Sequence, residues 1–125
     1  MIQLDLEGGG PYRLGETVTG ELRWEPQKDT KYKSVKVRLA WATEGRGDND
    51  GAVADIVELP AGETRGGESL RVPFSLTLPD GGPMSYDGTL VRIIWSVHAV
   101  VDEPWKLGDD EASRPILVGA LPAQS

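Results

Sequence analysis

Apolar residues in this chain recur at every second position, in runs separated by clusters of glycine and proline. Val18, Gly20, Leu22 and Trp24 alternate with Thr17, Thr19, Glu21 and Arg23. Val35, Val37, Leu39 and Trp41 repeat the device, as do Leu70, Val72, Phe74, Leu76 and Leu78. A period of two places alternate side chains on opposite faces of an extended strand, so each run predicts a strand with one buried and one solvated face. The punctuation is dense. Most of the sixteen Gly and nine Pro fall in clusters between the runs, at 8–11, 45–51, 60–67, 79–83 and from 108 onward, where they favour turns. No segment has apolar residues at the spacing of a helix. The sequence therefore predicts an all-β chain of about eight strands, and that many short strands in one small domain predict a two-layer sandwich.

Two strands carry further detail. Pro73 falls on the outward parity of 70–78 and cannot donate to a ladder, which predicts a place near a sheet edge. In Leu90–Asp102, Val91, Ile93, Trp95, Val97, Ala99 and Val101 hold one face, while Ile94 and Val100 make the other partly apolar. This predicts a central strand, and its length predicts a bulge or bend within it. With 125 residues, one domain over 1–119 and a short tail over 120–125 are expected.

Charge narrows the function. Thirteen Lys and Arg against twenty Asp and Glu leave a formal charge of −7, the wrong sign for nucleic acid or an anionic bilayer. No apolar run approaches the length of a membrane span, and the opening residues alternate instead of forming a leader, so the expected location is the cytoplasm. The chain has no Cys and a single His, which removes disulfides, thiolate metal sites and most acid–base schemes. No cofactor is expected, and no enzymatic activity.

Two stretches carry more than parity. Gly15-Glu16-Thr17-Val18-Thr19-Gly20 resembles the G-[ED]-x-V-x-G opening of arrestin-like domains. Leu78-Pro79, Pro83, Ser85-Tyr86-Asp87-Gly88, then Ile93, Trp95, Val97, Ala99, Asp102 and Pro104-Trp105 resemble a second segment of that family. That segment reads LP-x-S-[FY]-x-G, a long strand with [YW]-x-V-x-A, then D-x-P-W. The likeness runs from Gly15 to about Val118. It implies an immunoglobulin-like sandwich of the arrestin type, used as a non-catalytic adaptor or scaffold, with sporulation-control proteins among the bacterial relatives. Family adaptors usually pair two such sandwiches, and this chain matches the first lobe alone.

Candidate residues follow from charge and parity. Lys28, Lys31, Lys33, Lys36 and Arg38 face one acid, Asp29, within eleven residues. Alternation sends Lys36 and Arg38 outward together, giving a stripe for an acidic peptide or another copy's acidic face. Open sandwich edges add a second mode, strand addition from a protein partner or from a homo-oligomer mate. Trp24, Trp41 and Trp95 lie in phase with aliphatic neighbours and are expected in the core. Trp105 follows a strand end; with nearby loops it supports the alternative of a small-ligand or carbohydrate-binding module. His98 lies on the face opposite Trp95 and reads as an ordinary surface histidine. The acidic loops around Asp48, Asp50, Asp109 and Asp110 suit solvated turns and leave cation binding open; Arg46-Gly47-Asp48 matches an adhesion tripeptide only in letters.

Overall fold

The computed structural model describes residues 2–8, 11–26, 29–45, 50–81, 83–87, 91–102 and 110–119, with the backbone alone for 86, 87, 91, 92 and 110. Twelve strands run along these residues. They are β1 (Ile2–Leu6), β2 (Tyr12–Arg13), β3 (Thr17–Trp24), β4 (Thr30–Tyr32), β5 (Ser34–Gly45) and β6 (Gly51–Leu59). There follow β7 (Gly62–Thr64), β8 (Leu70–Thr77), β9 (Tyr86–Asp87), β10 (Val91–Asp102), β11 (Asp110–Ile116) and β12 (Val118–Gly119). Seven are longer, near the expected eight, and the other five, β2, β4, β7, β9 and β12, have two or three residues each. Such pieces are too short to show a period in sequence.

Two layers form the sandwich. One has the order β1-β3-β8, and the other β11-β10-β5-β6 with β9 added on β10. The alternation seen in sequence becomes the core: Leu4, Val18, Leu22, Trp24, Val72, Phe74 and Leu76 from the first layer meet Val35, Val37, Leu39, Trp95, Val97, Ala99 and Val101 from the second. These side chains are buried, and removal of their apolar surface from water is the main stabilising contribution. Trp24 also meets Tyr32 edge to face, with ring centroids 5.9 Å apart. Trp41 is a partial correction. It keeps inward parity and packs against the core, yet it is only half-buried. Its neighbours across the ladders are Trp95 and the small Ala52.

Strand β8 ends its layer, as Pro73 requires, and β10 lies between β5 and β11. The expected irregularity sits elsewhere. β10 keeps an unbroken register with both neighbours, whereas the β5–β6 ladder shifts between Leu39 and Ala40, where Asp55 and Val53 are successive partners and Ala54 is extra. A strand paired on both sides has two ladders to satisfy; an edge strand has one and accommodates a bulge at lower cost.

The two family-like stretches touch. Thr17 pairs with Thr77, and Leu78 N donates to Glu16 O at 2.8 Å. Trp95 Nε1 donates to Pro83 O at 2.8 Å, which ties the proline loop to the buried indole. Ser85 bonds Val118 twice, accepting from its amide at Oγ and donating its own amide to Val118 O. Gly15 turns the chain at φ +89°, a left-handed conformation that glycine adopts without steric cost.

At this turn Glu16 Oε1 accepts from Arg13 N at 2.8 Å and from Arg13 Nε at 2.9 Å. The side-chain bond first, and the backbone bond second, hold the Glu16 carboxyl below its ordinary value of 4.5. A group depressed in the folded state contributes stability that is complete above its unfolded value and is lost as pH falls through its folded value. Glu16→Gln is therefore expected to lower the urea midpoint at about pH 6 and to leave it nearly unchanged at about pH 3, so that the drop between the two becomes smaller.

Candidate functional site

The outward face of the β11-β10-β5-β6 layer carries two of the residues singled out by charge, Lys36 and Arg38. Lys36 lies opposite Glu58 on one side and Val100 on the other, and Arg38 lies between Ile56 and His98. Lys31, Lys33 and Lys36 are exposed and Arg38 is half-buried. Lys31 pairs with Glu63 in the β4–β7 ladder rather than on this face. The basic run is thus divided between two small surfaces, each with a carboxylate opposite a lysine. Lys28 and Trp105 lie outside the described residues, as do Asp48, Asp109 and the 46–48 tripeptide.

Arg38 is held by His98. Its Nη2 and Nε stand 2.9 and 3.3 Å from His98 Nδ1. A guanidinium carries only donors, so Nδ1 must accept, and a neutral ring then keeps its proton on Nε2. That nitrogen is 3.7 Å from Glu111 Oε2. His98 therefore joins three strands in a row, Arg38–His98–Glu111, instead of facing a nucleophile. Ser96, the neighbouring residue on this face, pairs with Ala40 and Pro115, which supply no acid–base partner.

A second feature lies where the two layers approach at one side. Between β1 and β11, a groove of about 340 Å³ is lined by Ile2, Leu4, Asp5, Arg23, Ser113 and Arg114 among others. Both strands end their layers here. Arg114 Nη1 donates to Leu4 O at 3.0 Å and so fills a position on the open side of β1 that a neighbouring strand's amide would take. Arg23 binds Asp5 through Nη2 at 2.9 Å, while its Nε is buried with no hydrogen-bond partner among the described residues.

The opposite end of the five-stranded layer is β6. Its first four residues are all exposed, and Val53 and Ile56 are the exposed large hydrophobics of the strand, at 53% and 47%. Alternation did not reveal this strand, because Ala52, Val53 and Ala54 are apolar in succession. Asp50 on the adjoining loop donates its amide to Thr43 Oγ1 and binds Gly51 N through Oδ1, the pattern of a turn residue. Among the described residues no group of three or more metal-ligating side chains comes together. Trp24 and Trp95 are fully buried, so neither offers a stacking face to a sugar.

No family model matches the chain, and no curated protein matches it in sequence. Its structure is similar to that of Spo0M, a sporulation control protein from Bacillus subtilis, with a TM-score of 0.78 at 19% identity. The match covers 97% of this chain and 49% of Spo0M, so the chain spans about half the length of that neighbour. Among the described residues no helix is long and apolar enough to cross a membrane. The sandwich built by these strands is thus the arrestin-like fold seen in Spo0M.

Proposed function

We propose that this chain is a non-catalytic protein-interaction module, an adaptor or scaffold that works in the cytoplasm and binds through its sheet edges and the charged outer face of its larger layer. The observation that carries the reading is the pair of open layers: β1, β8, β6 and β11 all end sheets, each with one side unpaired among the described residues. An open edge offers backbone donors and acceptors in a row, and recognition by strand addition needs no special side chains. Lys36 and Arg38 on this face, and Lys31 and Lys33 earlier in the chain, supply charge that selects among partners, and Lys28 and Trp105 extend the candidate set. The fold of Spo0M, a sporulation control protein, supports a regulatory use of the same architecture.

Capture from the native host tests this. A tagged wild-type chain is expected to retain a discrete partner identified by mass spectrometry. The double variant K36E/R38E, or substitutions on the sheet edges, is expected to lose that partner by about tenfold, the scale of one or two displaced charge or hydrogen-bond contacts. Equal capture by the face variant and by every edge variant refutes the reading.

A further inference from the structure

We infer that the β6 edge is a docking site for an extended basic peptide whose apolar side chains lie beside Val53 and Ile56; this rests on the reading of the chain as an interaction module. The argument begins with the backbone. Asp50 O accepts from Thr43 N at 2.8 Å, so this residue turns its polar groups toward β5. Backbone groups alternate along an antiparallel strand, which turns those of Gly51 and Val53 to the open side. No strand pairs that side among the described residues.

The protections that natural edges carry are sparse here. β6 has no Lys and no Pro, and its opening run Gly51-Ala52-Val53-Ala54 has no charge. The Ala54 bulge is one protection, and Asp55 is another: its carboxylate accepts from Ile56 N and from Thr77 N, each at 2.8 Å, and so ties the edge to β8. The backbone open to pairing is consequently the stretch before Asp55, and the exposed side chains of Ile56 and Glu58 follow just beyond it. On the outward face, Val53 lies beside Ala40, and Ala42 and Ile94 continue the apolar surface in the next register row. A strand added along β6 places alternate side chains against this surface.

Charge decides the occupant. From Asp50 to Thr64 the chain carries Asp50, Asp55, Glu58 and Glu63 and not one Lys or Arg. Lys36 faces Glu58 from the β5 side, and β6 itself carries no cation. A second copy would set these acids against themselves, in a molecule already at −7. A peptide with Lys or Arg flanking alternating apolar residues places attraction where a second copy places repulsion.

The test uses the purified full chain and dye-labelled synthetic peptides in which valine alternates with threonine, flanked by lysine in one and by glutamate in the other. Anisotropy is expected to report saturable binding of the lysine-flanked probe, weakened by added salt, and about tenfold weaker binding of the glutamate-flanked one. Val53→Pro removes an amide that points away from β5, so it leaves the native ladder intact while blocking strand addition. It is expected to lower probe affinity by about tenfold or more with an unchanged urea midpoint. If V53P does unfold the chain, Glu58→Lys serves instead, and it is expected to weaken the lysine-flanked probe and favour the other. Equal affinity for both probes overturns the proposal, as does undiminished binding by folded V53P or by E58K. Concentration-dependent dimerisation that V53P abolishes, with no probe binding, also overturns it and assigns the edge to a second copy. Each of these failures leaves capture through the other edges and the Lys36–Arg38 face untouched.

Discussion

Trp95→Ala is expected to lower stability by about 3–5 kcal/mol, the usual cost of deleting a large aromatic from a packed core. Trp95 is fully buried on the central strand, against inward residues of both layers. The substitution also removes the Nε1 donor to Pro83 O, leaving that carbonyl without the partner it has in the native fold. A domain of this size has a total of roughly 5–15 kcal/mol, so the variant should unfold in urea at a much lower concentration or fail to accumulate as a folded species. Trp95→Phe separates the two contributions, since it retains most of the ring volume and loses only the hydrogen bond and part of the packing. Its urea midpoint is expected to fall between those of wild type and Trp95→Ala. A midpoint for Trp95→Ala within error of wild type would show that the indole does not hold the layers together.

Gly20→Val is expected to cost about 3 kcal/mol or more, for a different reason. A Cβ at Gly20 would collide with Asp5 O and would lie 2.9 Å from Phe74 Cζ, with Leu6 Cα at 3.2 Å. The phenyl ring can move, but the Asp5 carbonyl belongs to the β1–β3 ladder and cannot yield without breaking the pairing of Leu6 with Gly20. Hydrogen exchange should therefore accelerate first in the amides of β1. Gly119→Ala is the matched control: a Cβ there meets nothing within 4 Å, and the change is expected to be within about 0.5 kcal/mol of neutral. Equal effects at the two glycines would refute the close approach of β1 and β3.

The glycine pair in Gly15–Gly20 was visible in sequence as a motif, but its two physical reasons were not. Gly15 is needed for its backbone angle and Gly20 for the space at its α-carbon. Strands β3, β5, β8 and β10 were legible because one face of each is buried against the other layer, which enforces a period of two. β6 was not, since its first half is exposed on both faces and a bulge interrupts its parity. The candidate surface was legible only as a list of charges. Lys36 and Arg38 were rightly placed on a common face, yet Glu58, His98 and Glu111 reach them from other strands.

What the sequence determined by itself was the all-β class, the identity of most core residues, the edge position of Pro73 and the central position of β10. These depend on local parity and on a proline's missing donor, both of which are properties of single segments. What only the tertiary structure decided was which charges meet and which edges stay open. Register and strand order bring residues together across 20 to 110 positions, as Asp55 with Thr77 and Leu4 with Arg114 illustrate. No periodicity within one segment encodes such a meeting; it is set by how two layers stack to bury their apolar faces.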